Sequence, residues 1–215
     1  MKKTLYSLLI LLVGAIQTTN AQWSKGFKTN EVSLSYGYLS NIKFVDSYTE
    51  VDATSLATKI GYVSTDNLKT IGSINAQLLH RNRKWLSFGI GLTYEATTQD
   101  CYNNKKEKAE WVVTRYGEMT SRYISAMPTF RFNWLIYRSF TIYSKIAGGL
   151  CFMVHSYKDT SNNGDIIEGK KKHGGSYQLS PFGIQIGSKD IVGFLELGFG
   201  NEGVAQAGVA YKFGY

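Results

Sequence analysis

The chain contains only two prolines, two cysteines and three histidines in 215 residues. So little proline argues against a proline-rich linker or a disordered chain. His80, His155 and His173 stand at no ligand spacing with Cys, Asp or Glu, so neither a metal site nor a cofactor is expected. No GxSxG or other nucleophile motif is present, and no nucleic-acid-binding module is recognisable. Beyond the N-terminus no apolar run approaches the roughly 20 residues of a membrane-spanning helix. If the chain enters a membrane, it must do so as a closed barrel.

One apolar run does exist. Lys2 and Lys3 precede Leu5 to Ile16, and Thr19-Asn20-Ala21 follows with a small residue at the expected cut. This is the layout of a cleaved secretory signal peptide over residues 1–21, leaving a domain at 22–215. No cysteine follows the cut, so no lipid anchor is expected. Without Lys2 and Lys3 the domain carries 22 basic and 16 acidic residues, a mildly basic +6. Tyr (15), Phe (11) and Gly (22) are abundant, which favours strands.

Alternation at period two runs along the whole domain. The strand pattern covers 31–38, 73–79, 85–95, 123–133, 140–152, 177–187, 191–200 and 207–215. Trp85 to Glu95 is the cleanest, with Leu86, Phe88, Ile90, Leu92 and Tyr94 alternating with Ser87, Gly89, Gly91, Thr93 and Glu95. In 73–79 Leu79 breaks the polar row, and in 177–187 the alternation is weaker.

The links Arg81 to Lys84, Trp134 to Ser139 and Ser188 to Asp190 are short. Leu39 to Leu68, Ala96 to Thr120 and Met153 to Ser176 are long and polar, and Asn201 to Val204 is a short link on the long-loop rim. Ala53 to Ser64 is strand-like and is read as a hairpin rising from the first long loop. Eight strands with short and long links in alternation predict an all-β, eight-stranded, antiparallel, up-and-down transmembrane β-barrel, with both termini at the short-turn rim.

Alternation leaves open which row faces water. A soluble ligand-carrying barrel would show solvent a row rich in Lys and Glu. Here the second row is mostly Gly, Ser, Thr and Ala, with isolated charges at Glu31, Glu95, Arg131, Lys145, Glu196 and Lys212. Small residues suit the interior of an eight-stranded barrel, which side chains fill. The apolar row then faces lipid, with Tyr36, Tyr38, Tyr94, Trp134, Tyr137, Tyr211 and Tyr215 near strand ends as aromatic girdles.

The closing AGVAYKFGY resembles the last strand of bacterial outer-membrane barrels. The stretches PTFRFNW (128–134), LSPFGIQIG (179–187) and FLELGFG (194–200) resemble the outer-membrane β-barrel domain of exported proteins. From about Glu31 to Tyr215 the chain resembles small eight-stranded barrels of the OmpA-transmembrane and OmpX type. The resemblance implies the bacterial outer membrane, insertion by the barrel-assembly machinery, contact with lipid and lipopolysaccharide, and roles in envelope integrity, adhesion or defence.

Three sets of residues carry the remaining expectations. Arg131, Lys145, Glu196 and Lys212 would form a lumen charge cluster that fills the bore, or line a narrow pore for ions or small solutes. Cys101 and Cys151 fall toward one rim, where an oxidising compartment permits a disulfide; two free thiols are the alternative. Lys105, Lys106 and Lys108, with Lys170, Lys171 and Lys172, are loop cations suited to phosphate groups or simply to solvent. Lipid A deacylases carry a His and a Ser two residues apart, whereas His155 and Ser156 are adjacent and point opposite ways on a strand. The expectation is therefore a monomeric structural or surface-interaction barrel without enzymatic chemistry.

Overall fold

A computed structural model describes residues 29–40, 63–107, 110–137, 139–159, 166–168 and 171–214, of which 63–68, 101, 103–107, 110–116, 157, 159 and 166–168 are described by backbone alone. The signal peptide and the stretch 53–62 of the expected first-loop hairpin lie outside the described residues. The strands are β1 (Asn30–Tyr38), β2 (Val63–Arg81), β3 (Leu86–Glu107), β4 (Glu110–Ile136), β5 (Phe140–Asp159), β6 (Ile166–Glu168), β7 (Lys172–Gly187), β8 (Ile191–Gly200) and β9 (Ala205–Phe213).

Eight of them pair antiparallel with their chain neighbours, β5 with β7 across the three-residue β6, and β1 with β9 closes the ring. Closure leaves no free edge where the eight strands ring the bore, which a single curled sheet could not do. The chain is thus an eight-stranded antiparallel up-and-down barrel, as the alternation predicts. The first and last described residues meet at the short-turn rim, where the Thr29 amide donates to the Gly214 carbonyl at 3.3 Å.

The two rows sort as the composition implies. In β1, Glu31, Ser33 and Ser35 are buried while Val32, Leu34, Tyr36 and Tyr38 are exposed. In β8, Val192, Phe194 and Glu196 point inward while Ile191, Leu195, Leu197 and Phe199 point outward. Leu34 is 57 % exposed and Lys145 only 1 %, the reverse of a water-soluble domain. Tyr36, Tyr38, Tyr94, Trp134, Tyr137 and Tyr211 are all exposed on the outer wall; Tyr215 lies outside the described residues.

Both prolines sit where a ladder breaks, because proline has no amide hydrogen to donate. The β4–β5 pairs skip from Ala126–Leu150 to Thr129–Ala147 around Pro128. Pro181 sits in a bulge, since β7–β8 pairing shifts between Leu179 and Phe182. An extra residue there moves the inward row from Ser176, Gln178 and Ser180 to Gly183 and Gln185. The slip is why 177–187 reads weakly as a strand.

The long links are not all loops. β3 and β4 remain paired up to Glu107–Glu110, β2 pairs β3 up to Val63–Asn103, and β5 pairs β4 up to Gly117–Asp159. Most of 96–120 is therefore strand rather than loop, as are 153–159 and 172–176. Backbone pairing thus continues beyond the stretch in which the sequence alternates. β1 and β9 end much lower, with Tyr38 opposite Ala205. Strands β2 to β5 consequently rise past the rest of the barrel on one side.

Candidate functional site: the charged lumen

The interior is built by the inward row of each strand, and register decides which charges meet. Arg81, Ser87, Arg131 and Lys145 are successive partners on β2, β3, β4 and β5, so one rung points three cations into the bore. Glu31 on β1 is the register partner of Lys212 on β9.

Glu31 lies across the bore from Arg131, whose Nη1 and Nη2 donate to Oε1 and Oε2 at 2.6 and 2.8 Å. This two-pronged arrangement is the strongest form of a carboxylate contact. Gln185 Nε2 also donates to Glu31 Oε1 at 2.9 Å. Lys212 Nζ stays 4.0 Å from Glu31 Oε2, an ion pair without a hydrogen bond.

A second cluster lies toward the long-loop rim. Lys145 Nζ meets both Glu196 and Glu202, the latter at 2.6 Å. The Tyr143 hydroxyl donates to Glu196 Oε1 at 2.7 Å, and the Arg131 guanidinium stands 5.0 Å from the Tyr143 ring centroid. The two clusters are therefore one chain of contacts across the lumen: Glu31, Arg131, Tyr143, Glu196, Lys145, Glu202.

Glu202 belongs to the short link 201–204, which turns into the bore instead of away from it. Its carbonyl accepts from Ser73 Oγ at 2.5 Å and Asn75 Nδ2 at 3.2 Å, and its amide donates to Gln178 Oε1 at 3.0 Å. Its Oε2 accepts from Gln77 Nε2 at 3.0 Å and Gln206 Nε2 at 3.2 Å. Gln178 Nε2 donates to the Gly203 carbonyl at 3.1 Å. The inward fold depends on Gly200 and Gly203, at φ of 139° and 114°, a region open mainly to glycine.

Of the four cluster residues read from sequence, Arg131 and Lys145 are register partners. Glu196 pairs in register with Gln206, six residues from Lys212 along β9, so those two do not meet; Glu196 joins Lys145 and Lys212 faces Glu31. Glu31, although on the inward row, was not part of the expected cluster, and its register with Lys212 is the signal that places it there. Glu202 was missed because a four-residue loop reads as solvent-exposed; its one sequence clue is an acid between two glycines.

Cys151 is a buried free thiol. Its rung runs through Ser125 and Thr93, whereas Cys101 pairs with Gly117, eight residues further up β4. That is about 26 Å along the strand, against the roughly 7 Å limit of a disulfide, so the bridge is not formed. His155 Nδ1 is 2.8 Å from Ser121 Oγ, its inward neighbour on β4. Ser156, next along β5, pairs instead with Thr120 and Glu168. His80 Nδ1 lies 2.8 Å from Asn30 Oδ1, and His173 is exposed. Lys171 is exposed and Lys172 half-buried; Lys108 and Lys170, and the side chains of Lys105 and Lys106, lie outside the described residues.

Apolar outside and ionic inside, closed through β1 and β9, the chain falls in the class of inside-out antiparallel barrels. No protein-family model matches it, and no curated protein matches it. Six chains among solved structures match. One is Ail, the attachment invasion locus protein of Yersinia pestis, at 10 % identity and a TM-score of 0.41, covering 86 % of this chain and 98 % of that one.

Proposed function

We propose that this protein is exported through a cleaved signal peptide and resides in the bacterial outer membrane as a monomeric barrel with a closed lumen. Its role is structural or surface-interacting, without catalysis. The observation that carries the reading is the inversion of burial, with Leu34, Leu92, Ile124 and Leu197 exposed around a wall whose inside holds Glu31, Arg131, Lys145, Glu196 and Glu202. Only hydrocarbon makes that exterior favourable, at roughly 25 cal/mol for each Å² kept from water.

Closure of the lumen is supported by the ion-pair chain and by the 201–204 turn folded into the bore. An eight-stranded barrel leaves little space beyond its side chains, and here those side chains span it. The surface role draws on the sheet of β2 to β5 that rises past the short β1–β9 side and offers a broad wall for a partner. Arg122 and Lys171 are exposed above the outward Ile124, Phe152 and Tyr177, a placement suited to lipopolysaccharide phosphates over acyl chains.

The first test is gel mobility of the outer-membrane fraction, boiled and unboiled. Faster migration of the unboiled band is expected, and a soluble periplasmic protein without a shift would sink the proposal. In planar bilayers no conductance step is expected. A step abolished by Glu196→Lys would replace the closed lumen with a narrow passive pore.

A further inference from the structure

At the short-turn mouth, below the ion-pair chain, a small cavity is lined by Thr29, Asn30, Glu31, Leu79, Arg81, Ser87, Arg131 and Lys212. Its volume of about 10 Å³ accommodates one water or one monatomic ion.

Charge distinguishes those two occupants. Among the described lining residues, Arg131 and Lys212 face the single carboxylate of Glu31, while Arg81 has an interaction of its own. Both oxygens of that carboxylate, Glu31, are taken by Arg131, and Oε1 also accepts from Gln185. Two groups on the wall then lack an acceptor among the described residues. Arg131 Nε is fully buried without a hydrogen-bond partner. Lys212 Nζ, on a side chain only 13 % exposed, is 4.0 Å from its nearest carboxylate oxygen, beyond hydrogen-bond reach. The compensating acids lie elsewhere, since Glu196 and Glu202 are both committed to Lys145. Leaving Arg81 aside, the described lining of this mouth therefore sets two cations against one carboxylate. A largely buried ammonium without an acceptor is costly, and a water brings an acceptor but no charge.

We propose that this mouth is a binding site for a small monatomic anion of the chloride class, held by Lys212 and Arg131 in a cavity that Ser87, Thr29 and Asn30 also line. The anion ties β9 to β4 through its two cations, joining the closing strand to the opposite wall. The site stands independently of where the barrel resides, because it depends only on the folded interior.

The test is crystallographic, on the intact barrel in detergent with bromide in place of chloride. An anomalous peak is expected in this cavity, within hydrogen-bond reach of Lys212 Nζ, and it should vanish in Lys212→Met. A wild-type cavity holding density without anomalous signal is water and overturns the proposal. Should Lys212→Met fail to fold, a second wild-type reading decides. The temperature at which the compact gel form is lost should be higher in chloride than in gluconate at equal ionic strength, and equal temperatures overturn the site.

Discussion

Replacing Lys145 by Met removes the one cation that Glu196 and Glu202 share. Lys145 and Glu202 side chains are fully buried and Glu196 is 3 % exposed, so neither carboxylate can turn to water. At an effective dielectric of about 20, one ion pair at the 2.6 Å of Lys145–Glu202 amounts to about 6 kcal/mol. Relaxation and water entry reduce this, and removing one partner of a buried pair ordinarily costs about 3–5 kcal/mol. Urea unfolding of the barrel in lipid vesicles should therefore show a loss of about 3–5 kcal/mol for Lys145→Met. Adding Glu196→Gln and Glu202→Gln to the same chain should restore most of it, because the triple variant buries no unpaired charge. A loss under about 1 kcal/mol for the single variant, or no recovery in the triple, would refute the shared-cation geometry.

Gly37→Ala should expel the inward turn, since a Cβ there would overlap the Glu202 carbonyl oxygen; a glutamate-specific protease should then cut after Glu202 in the folded barrel, and resistance equal to wild type would count against the plug. Leu92→Arg places a charge on the outer wall, where Leu92 is half exposed, and should lower stability in vesicles by about 2–4 kcal/mol. The neighbouring Gly91 faces the bore near Thr129 and Glu202, so Gly91→Ser should cost much less than the arginine; equal costs would mean the two rows are assigned the wrong way. Cys151 should resist maleimide in the folded barrel and react on unfolding, with no change of gel mobility on reduction.

Most of the barrel is legible one strand at a time. The alternation in β1, β3 and β8 names both the strand and its inward row, because a strand with one lipid face and one lumen face must repeat at period two. Where that contrast ends the strands become invisible, as in 96–107, where β3 continues beyond the apolar band. The bulge at Pro181 hides part of β7 for a different reason, since one extra residue exchanges the two rows midway.

Charge pairing is another matter. Arg131, Lys145, Glu196 and Lys212 are recognisable as lumen residues from parity alone, yet their partners are not. Parity fixes the face of a residue, but its neighbour across the bore depends on register, tilt and closure, which are properties of all eight strands together. Thus Glu196 looks closest to Lys212 by strand order and instead meets Lys145. The 201–204 turn follows the same logic more strongly. Nothing local in Asn-Glu-Gly-Val directs it inward. It folds into the bore because Lys145, Gln77, Gln178 and Gln206 come from β5, β2, β7 and β9 and converge there only once the barrel is closed. The sequence by itself determined the alternating part of each strand, its two faces and the sign of each lumen charge; the closed ring alone decided how far the strands run on, which charges touch and that a loop serves as part of the core.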